Sequence, residues 1–145
     1  MSETRSLPVQ KQVALVAHDK KKDELVEWAL ENKEILKNHQ LIATGSTGKL
    51  IEEKLGLPVE KLLSGPLGGD QQIGSLIAEG KLQFLVFFWD PLEAQAHDSD
   101  VKALQRLAVA WNILLASNRT TANFVLHSDF MEQVYEIETP DYSNY

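Results

Sequence analysis

Leu82-Gln83-Phe84-Leu85-Val86-Phe87-Phe88-Trp89 is the most apolar run of the chain. It reads as a strand with apolar side chains on both faces, and such a strand belongs inside a parallel sheet covered by helices, because a half-solvated strand would alternate with polar residues. The spacing predicts this run as the central strand. A loop from Asp90 to Asp100 follows, and then a helix that buries Val101, Leu104, Leu107, Ala108 and Trp111. Their recurrence every three to four residues is the signature of one buried helical face.

Working outward, short apolar runs alternate with helical patterns along the whole chain, the order that builds an α/β domain. Val13-Ala14-Leu15-Val16-Ala17 predicts the first strand, and Leu25, Trp28, Ala29 and Leu36 mark a long first helix. Leu41-Ile42-Ala43 predicts a second strand, and Leu50, Ile51 and Leu55 lie on a helix that Gly56 and Pro58 end. Leu62-Leu63 reads as a brief third strand, and Ile113-Leu114-Leu115-Ala116 as a fifth. A last helix around Thr121 to Leu126 leads to the alternating Val134-Tyr135-Glu136-Ile137-Glu138, predicted as an edge strand. The fold class is thus α/β, three layers α/β/α with a mostly parallel central sheet of about five strands. Residues 1–145 form one domain, with polar tails at 1–10 and 140–145.

A formal charge of −7 and a pI near 5.0 argue against a nucleic-acid partner, since the basic face that a phosphate backbone needs could be offered only locally, so any bound anion is expected to be small. Without cysteine there is no disulfide, thiolate metal site or thiol nucleophile. No apolar run reaches the length of a membrane span, and Met1 to Val9 lacks the apolar core of a secretion signal, which predicts a cytoplasmic protein.

The polar groups follow the strands. His18-Asp19, Thr44-Gly45-Ser46-Thr47, Ser64 to Asp70, and Asp90 to Asp100 each come directly after a predicted strand. Open parallel sheets bind ligands at the carboxyl ends of their strands, so four loops converge on one crevice. In Ser64-Gly65-Pro66-Leu67-Gly68-Gly69-Asp70-Gln71-Gln72, three glycines and a proline let bare amides approach an anion, next to a helix start marked by Ile73, Leu76 and Ile77. Asp70 is either that helix's N-cap or a catalytic carboxylate aimed at the ligand. Thr44 to Lys49 lacks the spacer of a nucleotide-binding P-loop, yet it can cradle one phosphate; an ordinary cap by Thr44 or Ser46 is the plainer alternative. Lys20, Lys21 and Lys22 read as a solvated face from which one lysine can turn inward.

The pairs His18-Asp19 and His97-Asp98 raise the idea of a metal-dependent phosphohydrolase, but such ligands sit on helices of all-helical enzymes, whereas both pairs fall on loops here. His97 can instead polarise a carbonyl as a neutral imidazole, or simply cap the helix near Asp98. His39 and His127, at helix ends, read as surface or capping residues; Trp28, Trp89 and Trp111 read as core or interface.

Together, Val-Ala-His-Asp (16–19), Ala-Thr-Gly-Ser-Thr-Gly (43–48), Leu-Ser-Gly-Pro-Leu-Gly-Gly-Asp-Gln-Gln (63–72), Phe-Phe-Trp-Asp-Pro-Leu (87–92) and His-Asp-Ser-Asp-Val-Lys-Ala-Leu (97–104) resemble the methylglyoxal synthase family. The likeness runs from the first strand to Pro140-Asp141-Tyr142. It implies a lyase without metal or cofactor that converts dihydroxyacetone phosphate to methylglyoxal and inorganic phosphate. By resemblance, Asp70 is the catalytic base, His97 contacts substrate oxygens, and Asp100 belongs to the proton-handling network. His18 and Lys22 bind substrate, and Thr44, Gly45, Ser46, Thr47, Ser64 and Gly65 hold phosphate, with Ser46 standing where threonine is common. The resemblance also implies a homohexamer inhibited cooperatively by inorganic phosphate; Arg106, on the helix after the His97 loop, is a candidate for intersubunit ion pairing, with an ordinary exposed helical arginine as the plainer alternative. Family members often carry an arginine-bearing tail past the Pro-Asp-Tyr match, whereas this sequence stops at Tyr145, so altered phosphate inhibition is expected. The alternative is a regulatory phosphate-binding module of the same fold, which needs the cradle but no base.

Overall fold

A computed structural model describes residues 3–94 and 98–145. Five parallel strands form the main sheet: β2 (Gln12–Ala17), β3 (Gln40–Thr44), β4 (Val59–Leu62), β5 (Phe84–Phe88) and β6 (Leu114–Ala116), in the order β4-β3-β2-β5-β6. Helices α1 (Lys22–Glu31), α2 (Lys33–Leu36), α3 (Gly45–Leu55), α4 (Gly69–Ala78), α5 (Asp98–Ala110) and α6 (Arg119–Leu126) connect them. The three-layer α/β/α architecture expected from the alternation of patterns is the one observed.

Two cores, one on each face of the sheet, explain the doubly apolar strands. Val13, Leu15, Phe84, Val86 and Phe88 point to the side of α1, α3 and α6, where they meet Trp28, Ile51 and Leu126. Ala14, Val16, Leu85 and Phe87 point the other way, onto Ile73 and Ile77 of α4 and Val101, Leu104 and Ala108 of α5. Phe84, Phe87 and Phe88 are fully or almost fully buried; burial of each such side chain is worth about 1.5–3 kcal/mol.

Several expectations need correction. The central strand is β2, not the 82–89 run, which supplies β5 one place off centre. A doubly apolar strand is required at any interior position, and both strands satisfy that requirement. The long first helix is interrupted: Asn32 separates α1 from α2. Its Nδ2 donates to the Trp28 carbonyl (2.9 Å) and to Asn123 Oδ1 (3.3 Å), Trp28 Nε1 donates to the same Oδ1 (2.8 Å), and its own Oδ1 bonds His127 Nε2 (2.7 Å). The third strand begins earlier than predicted, at Val59.

Neither terminus is only a polar tail. Residues Glu3–Leu7 form β1, which pairs antiparallel with β7 (Tyr135–Thr139) in a separate two-stranded ribbon, so the C-terminal strand is not an edge of the main sheet. Arg5 anchors this ribbon. Its guanidinium donates to the carbonyls of Ile77 (3.1 Å) and Ala78 (2.9 Å), in the last turn of α4, and lies 4.1 Å above the Trp111 ring. Tyr142 meets the Trp111 ring edge to face and donates its hydroxyl to the Ala110 carbonyl.

His39 is buried rather than superficial. Its Nδ1 accepts the Lys11 N–H (3.0 Å) and its Nε2 bonds Glu132 (3.3 Å). Lys11, also buried, donates its ammonium to the carbonyls of Pro8, Met131 and Gln133, tying both chain ends to the foot of β2.

Candidate active site

Beyond the carboxyl ends of β2, β3 and β4 lies a cavity of about 140 Å³. That is well below the ~300–1,000 Å³ typical of sites for drug-sized ligands, and suits a metabolite of a few carbons. His18, Lys22, Thr44, Gly45, Ser46, Thr47, Ser64, Gly65 and Asp70 all line it, so three of the four predicted loops meet there. His97 lies outside the described residues. Asp100 does not line this cavity; it lines the groove between α4 and α5, to which Asp70 also contributes.

Each wall has a local cause. Thr44 stands extended at the start of α3 but makes no side-chain bond to the helix's first turn, so the plain capping role is not what its hydroxyl does. Two helix N-termini, those of α3 and α4, open on the cavity, and both present main-chain N–H groups and positive dipole ends suited to an anion. Lys22 is the lysine that turns inward: its Nζ donates to Ser46 Oγ (3.2 Å) and pairs with Asp19 (3.1 Å). Lys20 instead pairs with Glu93.

The glycine loop folds tightly. A single 3-10 turn, Gly65–Leu67, precedes α4, with the N–H groups of Leu67 and Gly69 both bonded to the Ser64 carbonyl. Gln72 reaches back from α4 so that its Oε1 accepts the Leu63 N–H (2.9 Å). At Gly69 the backbone approaches so closely that a Cβ would stand 2.0 Å from the Leu63 carbonyl oxygen. Gly68, not Asp70, is the N-cap of α4; Asp70 sits in its first turn, 2% exposed, as part of the cavity wall. The N-cap alternative for Asp70 is thereby removed.

His18, 4% exposed, is held by β5. Its N–H donates to the Phe88 carbonyl (3.3 Å), the Asp90 N–H donates to its Nδ1 (3.0 Å), and the Phe87 ring meets it edge to face. An Nδ1 that accepts cannot carry hydrogen, so the neutral ring bears its proton on Nε2 and is a donor there. Asp90 shows in the sequence only as an Asp-Pro turn signal within the 87–92 motif, with no role attached to it. Gln72 and Asp90 are thus the residues that sequence reasoning passed over: each acts through main-chain contacts.

Among the described residues, no cluster of three or more His, Asp or Glu side chains is arranged to hold a metal ion, and no helix is long and apolar enough to cross a membrane.

Residues 24–117 match the family model described as MGS-like domain. The chain is 55% identical over 142 residues to methylglyoxal synthase of Erwinia tasmaniensis, covering 98% of this chain and 93% of that one. It is 56% identical over 142 residues to methylglyoxal synthase of Vibrio parahaemolyticus, covering 98% and 94%. The crystal structure of methylglyoxal synthase from Elizabethkingia anophelis NUHP1 superposes with a TM-score of 0.93 at 57% identity, covering 99% of this chain and 94% of that one.

Proposed function

The chain belongs to the methylglyoxal synthase family, and from that premise we propose that it is a lyase converting dihydroxyacetone phosphate to methylglyoxal and inorganic phosphate. The observation that carries this reading is the meeting, in one small cavity, of a buried carboxylate with two helix N-termini and an inward lysine. An anion cradle alone would serve a regulatory module; the carboxylate on its wall is what chemistry requires in addition.

In this reading the amides and hydroxyls of Thr44 to Thr47, Ser64 and Gly65, with the Lys22 ammonium, grip the phosphate. Asp70 takes a proton from the hydroxymethyl carbon, and its electron pair becomes the π bond of an enediolate. The His18 Nε2–H, and His97 by family resemblance, donate to the oxygens on which negative charge collects. Asp100 relays protons at the α4–α5 side. The terminal hydroxyl then gives up its proton, which ends on the other enediolate oxygen; its O–H pair forms the terminal C=O, the enediolate π pair moves to make a double bond to the phosphate-bearing carbon, and the C–O bond breaks with its own pair leaving on phosphate. The remaining enol of methylglyoxal ketonises. Elimination requires the breaking C–O bond to stand perpendicular to the enediolate plane, so the phosphate contacts decide the product as much as the base does. On the same reading the enzyme works in the cytoplasm as a homohexamer, uses no metal or cofactor, and is inhibited by inorganic phosphate.

The test measures methylglyoxal and phosphate together from metal-free protein and dihydroxyacetone phosphate. Equimolar release is expected, and Asp70→Asn should lower kcat by about 10²–10⁴ while still binding a phosphate-bearing mimic. No release, or full activity in the variant, overturns the assignment.

A further inference from the structure

We propose that Asp90 is a positioning residue that fixes His18 as an Nε2–H donor. The inference rests on the proposed reaction for its consequence, though not for its geometry. Three contacts join the end of β5 to His18: the His18 N–H on the Phe88 carbonyl (3.3 Å), the Asp90 N–H on His18 Nδ1 (3.0 Å), and the Phe87 ring edge to face with the imidazole. The first two pin the same short piece of main chain to both the backbone and the ring of His18.

The Asp90 side chain, 6% exposed, holds that piece in shape. Its Oδ1 accepts the Leu92 N–H (3.1 Å), closing a turn over Pro91. Aspartate is suited to this turn because its short side chain reaches the amide two residues on, and a following proline restricts the residue before it to extended backbone. The carboxylate thus acts as a main-chain brace, and the group that reaches His18 is the Asp90 amide. With that amide on Nδ1, the neutral ring of this cavity-lining residue carries its proton on Nε2 and cannot turn over to offer a lone pair from Nε2 without losing a buried hydrogen bond. His18 therefore serves as a donor and orienting group in the cavity, and the abstraction of a proton falls to Asp70.

The experiment uses the full chain labelled with ¹⁵N-histidine, in which long-range ¹H–¹⁵N spectra distinguish the two tautomers and the imidazolium, and His18 is assigned by its absence in His18→Gln. In the wild type at neutral pH, His18 is expected as the Nε2–H tautomer without substrate present. Asp90→Ala should give a mixture of tautomers and lower kcat/KM by about tenfold to a hundredfold, the scale of a misplaced contact. Asp90→Asn keeps an acceptor for the Leu92 amide and should recover most of both losses. In the His18→Gln background, Asp90→Ala should cost little more, because the two act through one another. The proposal is overturned by a wild-type His18 protonated on Nδ1. It is equally overturned if Asp90→Ala keeps both the single tautomer and full kcat/KM, or if the costs of the two substitutions simply add. Should the wild type release no methylglyoxal, the reaction is wrong, while the tautomer in the unliganded protein still decides the role of Asp90.

Discussion

Gly69→Ala tests how tightly catalysis depends on the glycine loop. A Cβ built on Gly69 would lie 2.0 Å from the Leu63 oxygen, 2.9 Å from the Leu63 carbonyl carbon and 3.0 Å from the Ser64 carbonyl carbon. All three are main-chain atoms, so no side chain can swing aside, and the segment must move by about 1 Å. The movement would bend two hydrogen bonds that define the loop, Gly69 N–H to the Ser64 carbonyl (2.9 Å) and Leu63 N–H to Gln72 Oε1 (2.9 Å). It would also shift Ser64 and Gly65 relative to Asp70, which comes next on the helix. Forcing extra volume into a packed site costs roughly 1–3 kcal/mol, a fall in Tm of about 3–10 °C for a chain of this size. A 1 Å misplacement of reacting groups costs on the order of 10²-fold in kcat/KM.

Gly56→Ala is the matched control. Gly56 ends α3 with φ of 68°, and a Cβ there meets nothing within 4 Å. The left-handed backbone costs alanine about 1–2 kcal/mol, so stability should fall comparably while activity stays within about twofold of wild type. The assay is kcat/KM for dihydroxyacetone phosphate beside a thermal melt of each variant. The reasoning is refuted if Gly69→Ala keeps wild-type kcat/KM, or if Gly56→Ala loses as much activity as Gly69→Ala.

Two further outcomes are expected. Lys22→Met removes the ammonium beside Ser46 and should raise KM by about tenfold or more with a smaller change in kcat, since a bond to a charged group is worth about 1.5–3 kcal/mol; an unchanged KM would take Lys22 out of the phosphate grip. Burial holds the His39 imidazole below its ordinary pKa, against the opposing pull of Glu132 and with the nearby Lys11 ammonium adding to the depression. The unfolded chain therefore binds a proton below about pH 6.5 that the folded one does not, and stability should fall as pH drops from 7.5 toward 5.5, by up to about 1.4 kcal/mol per pH unit from this site. In His39→Asn that part of the slope should vanish, and parallel unfolding curves for the two proteins between these pH values would refute it.

The parallel α/β order was legible because two physical signals agreed: strands apolar on both faces, and helices apolar on one. Where only one signal existed, the reading failed. Glu3–Leu7 offers a single large apolar residue, and its strand exists through pairing with Tyr135–Thr139 at the far end of the chain, a contact that no local pattern encodes. The interruption at Asn32 likewise depends on Asn123 and His127, brought close by the return of α6. His39 looked superficial because it stands among polar neighbours, yet it is sealed by Lys11 and Glu132 from two other segments.

The site divides along the same line. His18, the Thr44–Thr47 run, Ser64, Gly65 and Asp70 could be grouped in advance because each comes after a strand, and parallel strands deliver their succeeding loops to one end of the sheet, whereas Lys22, in a run that reads as a solvated face, was placed with them by family resemblance alone. The contributions of Asp90 and Gln72 could not, because they pass through main-chain groups: an amide on an imidazole in one case, an amide received from Leu63 in the other. Every residue except proline carries that donor, so its chemistry leaves no trace in residue type; only the path of the chain decides whether it is used. A cavity walled in part by two helix N-termini is for that reason partly invisible in sequence. Its side chains show the Asp70 carboxylate and the Lys22 ammonium, while the hydrogen bond from the Asp90 amide to His18 Nδ1 and the close approach at Gly69 depend on the path of the backbone.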